Sequence, residues 1–129
     1  MGLITATSLP AGVEARWADL TDQGEVERLV AETSPTVIIH LAAVIPPVIY
    51  RQRQLARRVN VDATVALLHA ARSCAHPPRF IQASSNAVHG SRNPHRHHEL
   101  LREGTPIRPS DLYGAHKVEV EDHVLSSGL

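Results

Sequence analysis

The sequence predicts an α/β protein built on a doubly wound parallel sheet. One observation is the run Thr36-Val37-Ile38-Ile39-His40-Leu41, almost wholly apolar and largely β-branched, which reads as a strand buried on both faces. Another is a second apolar-rich run, Arg79 to Ala83, separated from the first by a long segment with helical apolar spacing. The third is the order of segments, in which strands alternate with helices, as parallel strands joined by right-handed βαβ crossovers require. In such sheets ligands sit beyond the carboxyl ends of the strands, so the informative residues are expected just after Trp17, Leu41 and Ala83.

Leu3 to Thr7 and Val13 to Trp17 are two short β-leaning runs, parted by the breaker cluster Leu9-Pro10-Ala11-Gly12, and both read as strands. Asp22 with Glu25 three residues later reads as a helix N-cap and its capping-box partner, and Val26, Leu29 and Val30 follow at helical spacing. A helix from about Asp22 to Thr33 is predicted, ended by Ser34-Pro35. After the Thr36–Leu41 strand, Pro46-Pro47 blocks immediate helix formation. A long helix then carries Leu55, Val59, Ala66, Leu67 and Ala70 on one stripe to about Ala75, where His76-Pro77-Pro78 ends it. The Arg79–Ala83 strand runs into Ser84-Ser85, a long polar loop follows, and the last helical pattern spans Leu112 to Leu125.

A length of 129 residues fits about one domain, and 43% hydrophobic with 20% charged residues is the composition of a globular chain. Thirteen basic residues balance thirteen acidic ones, which gives no electrostatic footprint for a nucleic-acid partner. No apolar run is long enough to span a bilayer and the start has no basic, apolar leader, so neither a membrane partner nor secretion is expected. The single cysteine, Cys74, has no partner in the chain for a disulfide, which points to a reducing, cytoplasmic setting.

Tyr113 and Lys117 are four apart on the last helix, so their side chains share one face. Making a phenol that titrates near ~10 act at neutral pH takes about 4 kcal/mol. An ammonium ~4 Å away supplies about that much at an effective dielectric of ~20. Lys117 is therefore a sufficient activator for Tyr113 as acid and base, and Ser85, at a strand end, is available to bond the same reacting oxygen.

These residues belong to an ordered set. Asp19-Leu20 follows a strand, His40-Leu41-Ala42-Ala43 ends the next, and Asn60-Val61 lies in the helix. Ser84-Ser85 with Val88 and Gly90 comes after the following strand, then Pro109-Ser110 and Tyr113-Gly114 with Lys117. In this combination the sequence resembles the extended short-chain dehydrogenase/reductase superfamily, in its NAD-dependent epimerase/dehydratase group, over nearly its whole length. The resemblance implies that residues 1–129 form a partial NAD(P)-binding Rossmann domain. It implies an oxidoreductase, epimerase or dehydratase acting on a secondary alcohol or ketone, such as a nucleotide sugar or a steroid-like alcohol. It implies that Ser85, Tyr113 and Lys117 are catalytic, Lys117 also bonding the nicotinamide ribose. Asp19 and Leu20 would meet the adenine, Ala42 and Ala43 would let NAD or NADP pass close to the strand end, and Asn60 would support the site. The resemblance does not choose between the two cofactors, since Thr7-Ser8 stand where an acidic or basic residue would do so, and His89 stands where the family often has a tyrosine.

The family's glycine-rich phosphate loop has no counterpart, because no two of the seven glycines lie within three residues of each other. Aligned on Asp19, Leu3 to Thr7 falls on the family's second strand. The expectation is an incomplete Rossmann-type sheet whose central first strand is missing and which ends before the substrate-binding part. Bare strand edges are then expected to favour self-association, and no measurable NAD(H) or NADP(H) binding is expected of these residues alone. The rival reading is a non-catalytic remnant or a nucleotide-sensing or interaction module. No metal site is expected: His95, His97 and His98 read as a solvated loop, with contact to an anionic ligand as a further option since the family has this loop near the substrate. Cys74 reads as a packed thiol, and Arg51, Arg53, Arg57 and Arg58 as a solvated helix face.

Overall fold

Asp22 starts the first helix as the sequence predicts, its carboxylate accepting from the Glu25 backbone N–H at 3.1 Å. The Glu25 side chain reaches past the cap to the Asp19 N–H at 2.6 Å, which fixes the turn that carries Asp19. This helix, α1 (Gln23–Thr33), ends at Ser34, whose φ of 42° lies in the left-handed region. In this computed structural model the described residues are 9–92, 95 and 99–129. The predicted Leu3–Thr7 strand, Thr7-Ser8, His97 and His98 lie outside the described residues.

The remaining order is β1 (Val37–His40), α2 (Val48–Arg51), α3 (Arg53–Arg57), a π-helical turn (Arg58–Asp62), α4 (Ala63–Arg72), β2 (Arg79–Gln82), a 3-10 turn (Asn86–His89) and α5 (Leu112–Ser126). β1 and β2 pair in parallel, Val37 opposite Arg79 through His40 opposite Gln82, and α3 to α4 supply the crossover that parallel pairing needs. Val26 and Val30 of α1, Leu67, Leu68 and Ala70 of α4 and Phe80 of β2 form the core cluster, with Ile38 and Val124 packed against it. The three long helices therefore contribute to a core on one face of the sheet.

Two expectations are corrected. The Thr36–Leu41 run is not buried on both faces: Ile39 is 61% exposed and Val37 and Ile81 each 45%, because the described residues cover only the face that holds Ile38 and Phe80. Val13 to Trp17 forms no strand. Neither described strand pairs with it, Trp17 is 74% exposed, and Arg16 instead bonds Glu32 of α1 at 3.1 Å. Without a ladder partner, β-propensity alone does not make a strand.

The long helix also departs in phase. Its π-helical turn inserts an extra residue, and the buried set runs Ala56, Asn60, Val61, Ala63, Thr64, Leu67, Leu68, Ala70 and Ala71, while Leu55 is turned outward. The same turn carries Asn60 into the interior. Arg57 and Arg58 do more than solvate this face: Arg57 grips Glu119 of α5 with two bonds of 2.6 Å, and Arg58 donates to Thr21 at 2.8 Å.

Candidate active site

The site forms where the carboxyl ends of β1 and β2 meet the first turns of α5. Asp111 caps α5 by accepting from the Gly114 N–H at 2.7 Å. Gly114 lets that helix press on the 3-10 turn, since a Cβ there would lie 2.5 Å from the Ala87 carbonyl oxygen. One turn further on, Lys117 is 5% exposed and its ammonium donates to the Ala83 carbonyl at 2.6 Å. The Ala83 N–H in turn donates to the His40 carbonyl at 3.2 Å, so the lysine is tied to the ends of both strands.

Ser85 is bracketed by these contacts, with Ala83 bonded to Lys117 on one side and Ala87 against Gly114 on the other. Its Oγ accepts from the Ala87 N–H at 3.2 Å and so caps the 3-10 turn. Its own O–H faces Asn86 Oδ1 at 3.5 Å, the outer limit of a hydrogen bond, which leaves the proton available to a stronger acceptor. Tyr113 is half-buried, and the Lys117 ammonium stands 5.7 Å from its ring centroid. Ser84 donates to Glu121, one turn beyond Lys117.

Burial lowers the pKa of Lys117 below the ordinary lysine value, and the Glu121 carboxylate opposes that shift. His40, 4% exposed, is pushed down to about 4, first by burial and then by the Lys117 charge. His40 Nε2 and Gln82 Oε1, on residues opposite each other in the ladder, are buried and have no hydrogen-bond partner among the described residues.

Ala42 and Ala43 are half-buried in the loop after β1. Asn60 holds that loop, accepting from the Val44 N–H at 2.6 Å and donating to the Val44 carbonyl at 2.9 Å. Its amide also lies 3.4 Å from Nδ1 of buried His116, so the nitrogen is the acceptor there and the ring proton sits on Nε2. Asp19 lies on the exposed turn before α1, and its Oδ1 accepts from the Thr21 N–H and hydroxyl at 2.8 Å each. Those two bonds, with Arg58 nearby, hold its pKa below the ordinary carboxylate value. Leu20 is partly buried against the core cluster.

Ser85 thus lies between two backbone carbonyls that α5 meets, Ala83 through Lys117 and Ala87 through Gly114, and Ala42-Ala43 follow His40 in the loop after β1. Asp19 and Leu20 connect to the crossover helix through the Arg58–Thr21 bond. Sequence reasoning missed His116 and the Ala83 carbonyl. His116 carried a signal, since it follows Tyr113 by three residues on the helix face that packs inward.

A parallel crossover joining two strands, with helices packed on the sheet, is the architecture of an incomplete Rossmann-type α/β fold. The chain belongs to the NAD dependent epimerase/dehydratase family, whose profile matches residues 4–128. It is 35% identical over 107 residues to D-erythronate dehydrogenase of Cupriavidus necator, covering 83% of this chain and 32% of that one. Among solved structures it is similar to the UDP-glucose 4-epimerase of Thermus thermophilus in complex with NAD, with TM-score 0.84, 29% identity and coverage of 96% of this chain and 39% of that one. The nucleoside-diphosphate-sugar epimerase of Agrobacterium tumefaciens matches with TM-score 0.78 and 32% identity over 93% of this chain and 36% of that one. The chain spans about a third of the length of the curated relatives it matches.

Proposed function

We propose that residues 1–129 are a partial NAD(P)-binding Rossmann domain contributing the reaction centre of an NAD(P)-dependent dehydrogenase, epimerase or dehydratase that acts on a secondary alcohol or ketone. The observation that carries this is the Lys117 ammonium, buried, bonded to the strand-end carbonyl of Ala83 and set against the Tyr113 ring. Membership of the family and the likeness to the complex with NAD support the cofactor. The residues fit its nucleoside ends: Lys117 has two further N–H donors for ribose hydroxyls, Ala42 and Ala43 are small where close approach is needed, and Asp19 and Leu20 serve the adenine. The described residues offer no glycine-lined backbone cradle for the pyrophosphate.

When bound, the nicotinamide ring supplies or takes the hydride. In the oxidative direction the Tyr113 hydroxyl, as its phenolate, takes the proton from the substrate hydroxyl, and in the reverse direction returns it. The Lys117 ammonium stabilises that phenolate, and the Ser85 O–H donates to the substrate oxygen as charge develops on it. Ala83 fixes Lys117 for this role by holding one of its three protons.

A second reading, a non-catalytic remnant or nucleotide-sensing or interaction module, is favoured by the bare sheet face of Val37, Ile39 and Ile81. On that reading the exposed strand edges mediate self-association. A cytoplasmic location, proposed for either reading, rests on the single free cysteine, and the partner is a small molecule rather than nucleic acid or membrane. The test is turnover of a panel of secondary alcohols, hydroxy acids and nucleotide sugars with millimolar NAD+ or NADP+. Reduced nicotinamide or epimer interconversion supports the enzyme. A folded protein shown by calorimetry to hold the cofactor, yet inert to the whole panel, overturns it in favour of the second reading.

A further inference from the structure

Between the 3-10 turn and α5 lies a cleft of about 980 Å³ whose lining includes Arg92, Arg102 and Arg108, with Glu99 as the acidic member. Its frame is built from internal bonds. Ser110 Oγ accepts from the Ser91 N–H at 2.9 Å, the Arg108 N–H donates to the Val88 carbonyl at 2.9 Å, and His89 Nδ1 donates to the Pro106 carbonyl at 3.2 Å. Gly90, at φ 73°, admits the Arg108 carbonyl where a Cβ would stand 2.2 Å from its oxygen. Both ends of this frame run into the proposed reaction centre. His89 closes the turn that Ser85 caps, and Ser110 stands one residue before Asp111, the cap of the Tyr113–Lys117 helix.

We infer that this cleft binds an oxyanion, a carboxylate or phosphate group carried by the substrate, through Arg102 and Arg108 with Arg92 behind them. The inference rests on the proposed reaction centre for the word substrate, and on the cleft alone for the anion. Among the described residues three arginines line the cleft against one carboxylate. The Glu99 side chain is 91% exposed and its carboxylate, 4.0 Å from Arg92, is held weakly, while Arg92 stays at the cleft through its 2.8 Å bond to the Glu99 carbonyl. Guanidinium forks match the planar geometry of carboxylate and phosphate oxygens. Because His89 belongs to the turn that Ser85 caps and Ser110 precedes the cap of the Tyr113–Lys117 helix, a substrate held by its anionic end in this cleft would have its remaining carbons beside the proposed reaction centre.

The test is titration of the 129-residue protein at low salt with inorganic phosphate, with D-erythronate and with neutral erythritol, read by backbone amide shifts. Saturable shifts in residues 89–92 and 99–110 for one or both anions, and none for erythritol, are expected, and the tighter anion identifies the carboxylate or phosphate source. The double variant Arg102→Gln, Arg108→Gln should weaken binding at least about tenfold. Arg28→Gln, on exposed α1, should leave it unchanged, and the amide spectrum checks that each variant is folded. Shifts absent for both anions, shared equally by erythritol, or undiminished in the folded double variant overturn the inference. Tyr113→Phe separates the two claims: it should abolish turnover yet leave anion binding intact. Anion binding without wild-type turnover when the cofactor is bound thus defeats the reaction-centre reading alone, and turnover without anion binding defeats this inference alone.

Discussion

Acidification should destabilise the protein through one identifiable side chain, His40. The ring is 4% exposed, tilted against Phe80 with centroids 6.4 Å apart, and its Nε2 has no partner among the described residues. Burial, aided by the Lys117 charge, lowers its pKa from 6.5 to about 4. Between those values the unfolded chain binds a proton at this residue and the folded chain does not, so stability is full above 6.5 and falls as pH drops toward 4. At ~1.36 kcal/mol per unit the loss is about 3 kcal/mol, or ~10 °C in Tm for a chain of this size. The perturbation is His40→Leu, which fills similar space and cannot charge. Because it also removes a buried nitrogen without a partner, the variant should match or exceed wild-type stability near pH 7. Urea unfolding of both proteins, followed by far-ultraviolet circular dichroism since Trp17 is too exposed to report on the core, should diverge by about 3 kcal/mol in the variant's favour on acidification. Parallel stability curves, or a His40 imidazole titrating at the ordinary histidine value by NMR, would show that His40 is not the source of the acid sensitivity.

Asn60→Ala removes both side-chain bonds to Val44 and strands a part-buried N–H and carbonyl, so about 2–4 kcal/mol of stability should vanish; a urea midpoint unchanged within error would contradict this. Gly114→Ala drives a Cβ into the Ala87 carbonyl and should cost about 1–3 kcal/mol while shifting the 3-10 turn that Ser85 caps, read as lost stability together with a turnover defect that saturating substrate does not restore. Arg57→Lys breaks the two-bond grip on Glu119, but both side chains are more than a third exposed. The expected loss is therefore below about 1 kcal/mol, and a much larger one would show that the pair is shielded.

The features legible in the residues alone are those that local rules decide. α1 is legible because Asp22 and Glu25 mark its start, and α5 because its pattern runs unbroken from Leu112. The two strands are legible as short apolar runs bounded by breakers. Val13 to Trp17 has the same look and forms no strand, because pairing depends on a neighbour that the run itself does not encode. The π-helical turn at Arg58–Asp62 leaves no mark in the apolar spacing, so spacing alone puts Leu55 on the wrong face. At the site, the spacing of Tyr113 and Lys117 is a helix property and is readable. The Ala83 carbonyl is not, since a backbone acceptor has no residue signature, and Asn60 and His116 meet across 56 positions of sequence.

The role proposed for Tyr113, activated by Lys117, is to move the proton that accompanies hydride transfer. Its most direct test is transfer of deuterium from a carbinol-deuterated substrate to the nicotinamide ring, measured by mass spectrometry in wild type and Tyr113→Phe at saturating cofactor. Transfer in the wild type, slowed at least about a hundredfold in the variant with its fold unchanged, is the predicted result. Equal transfer by the two proteins, or none by a wild type with substrate and cofactor both bound, would contradict it.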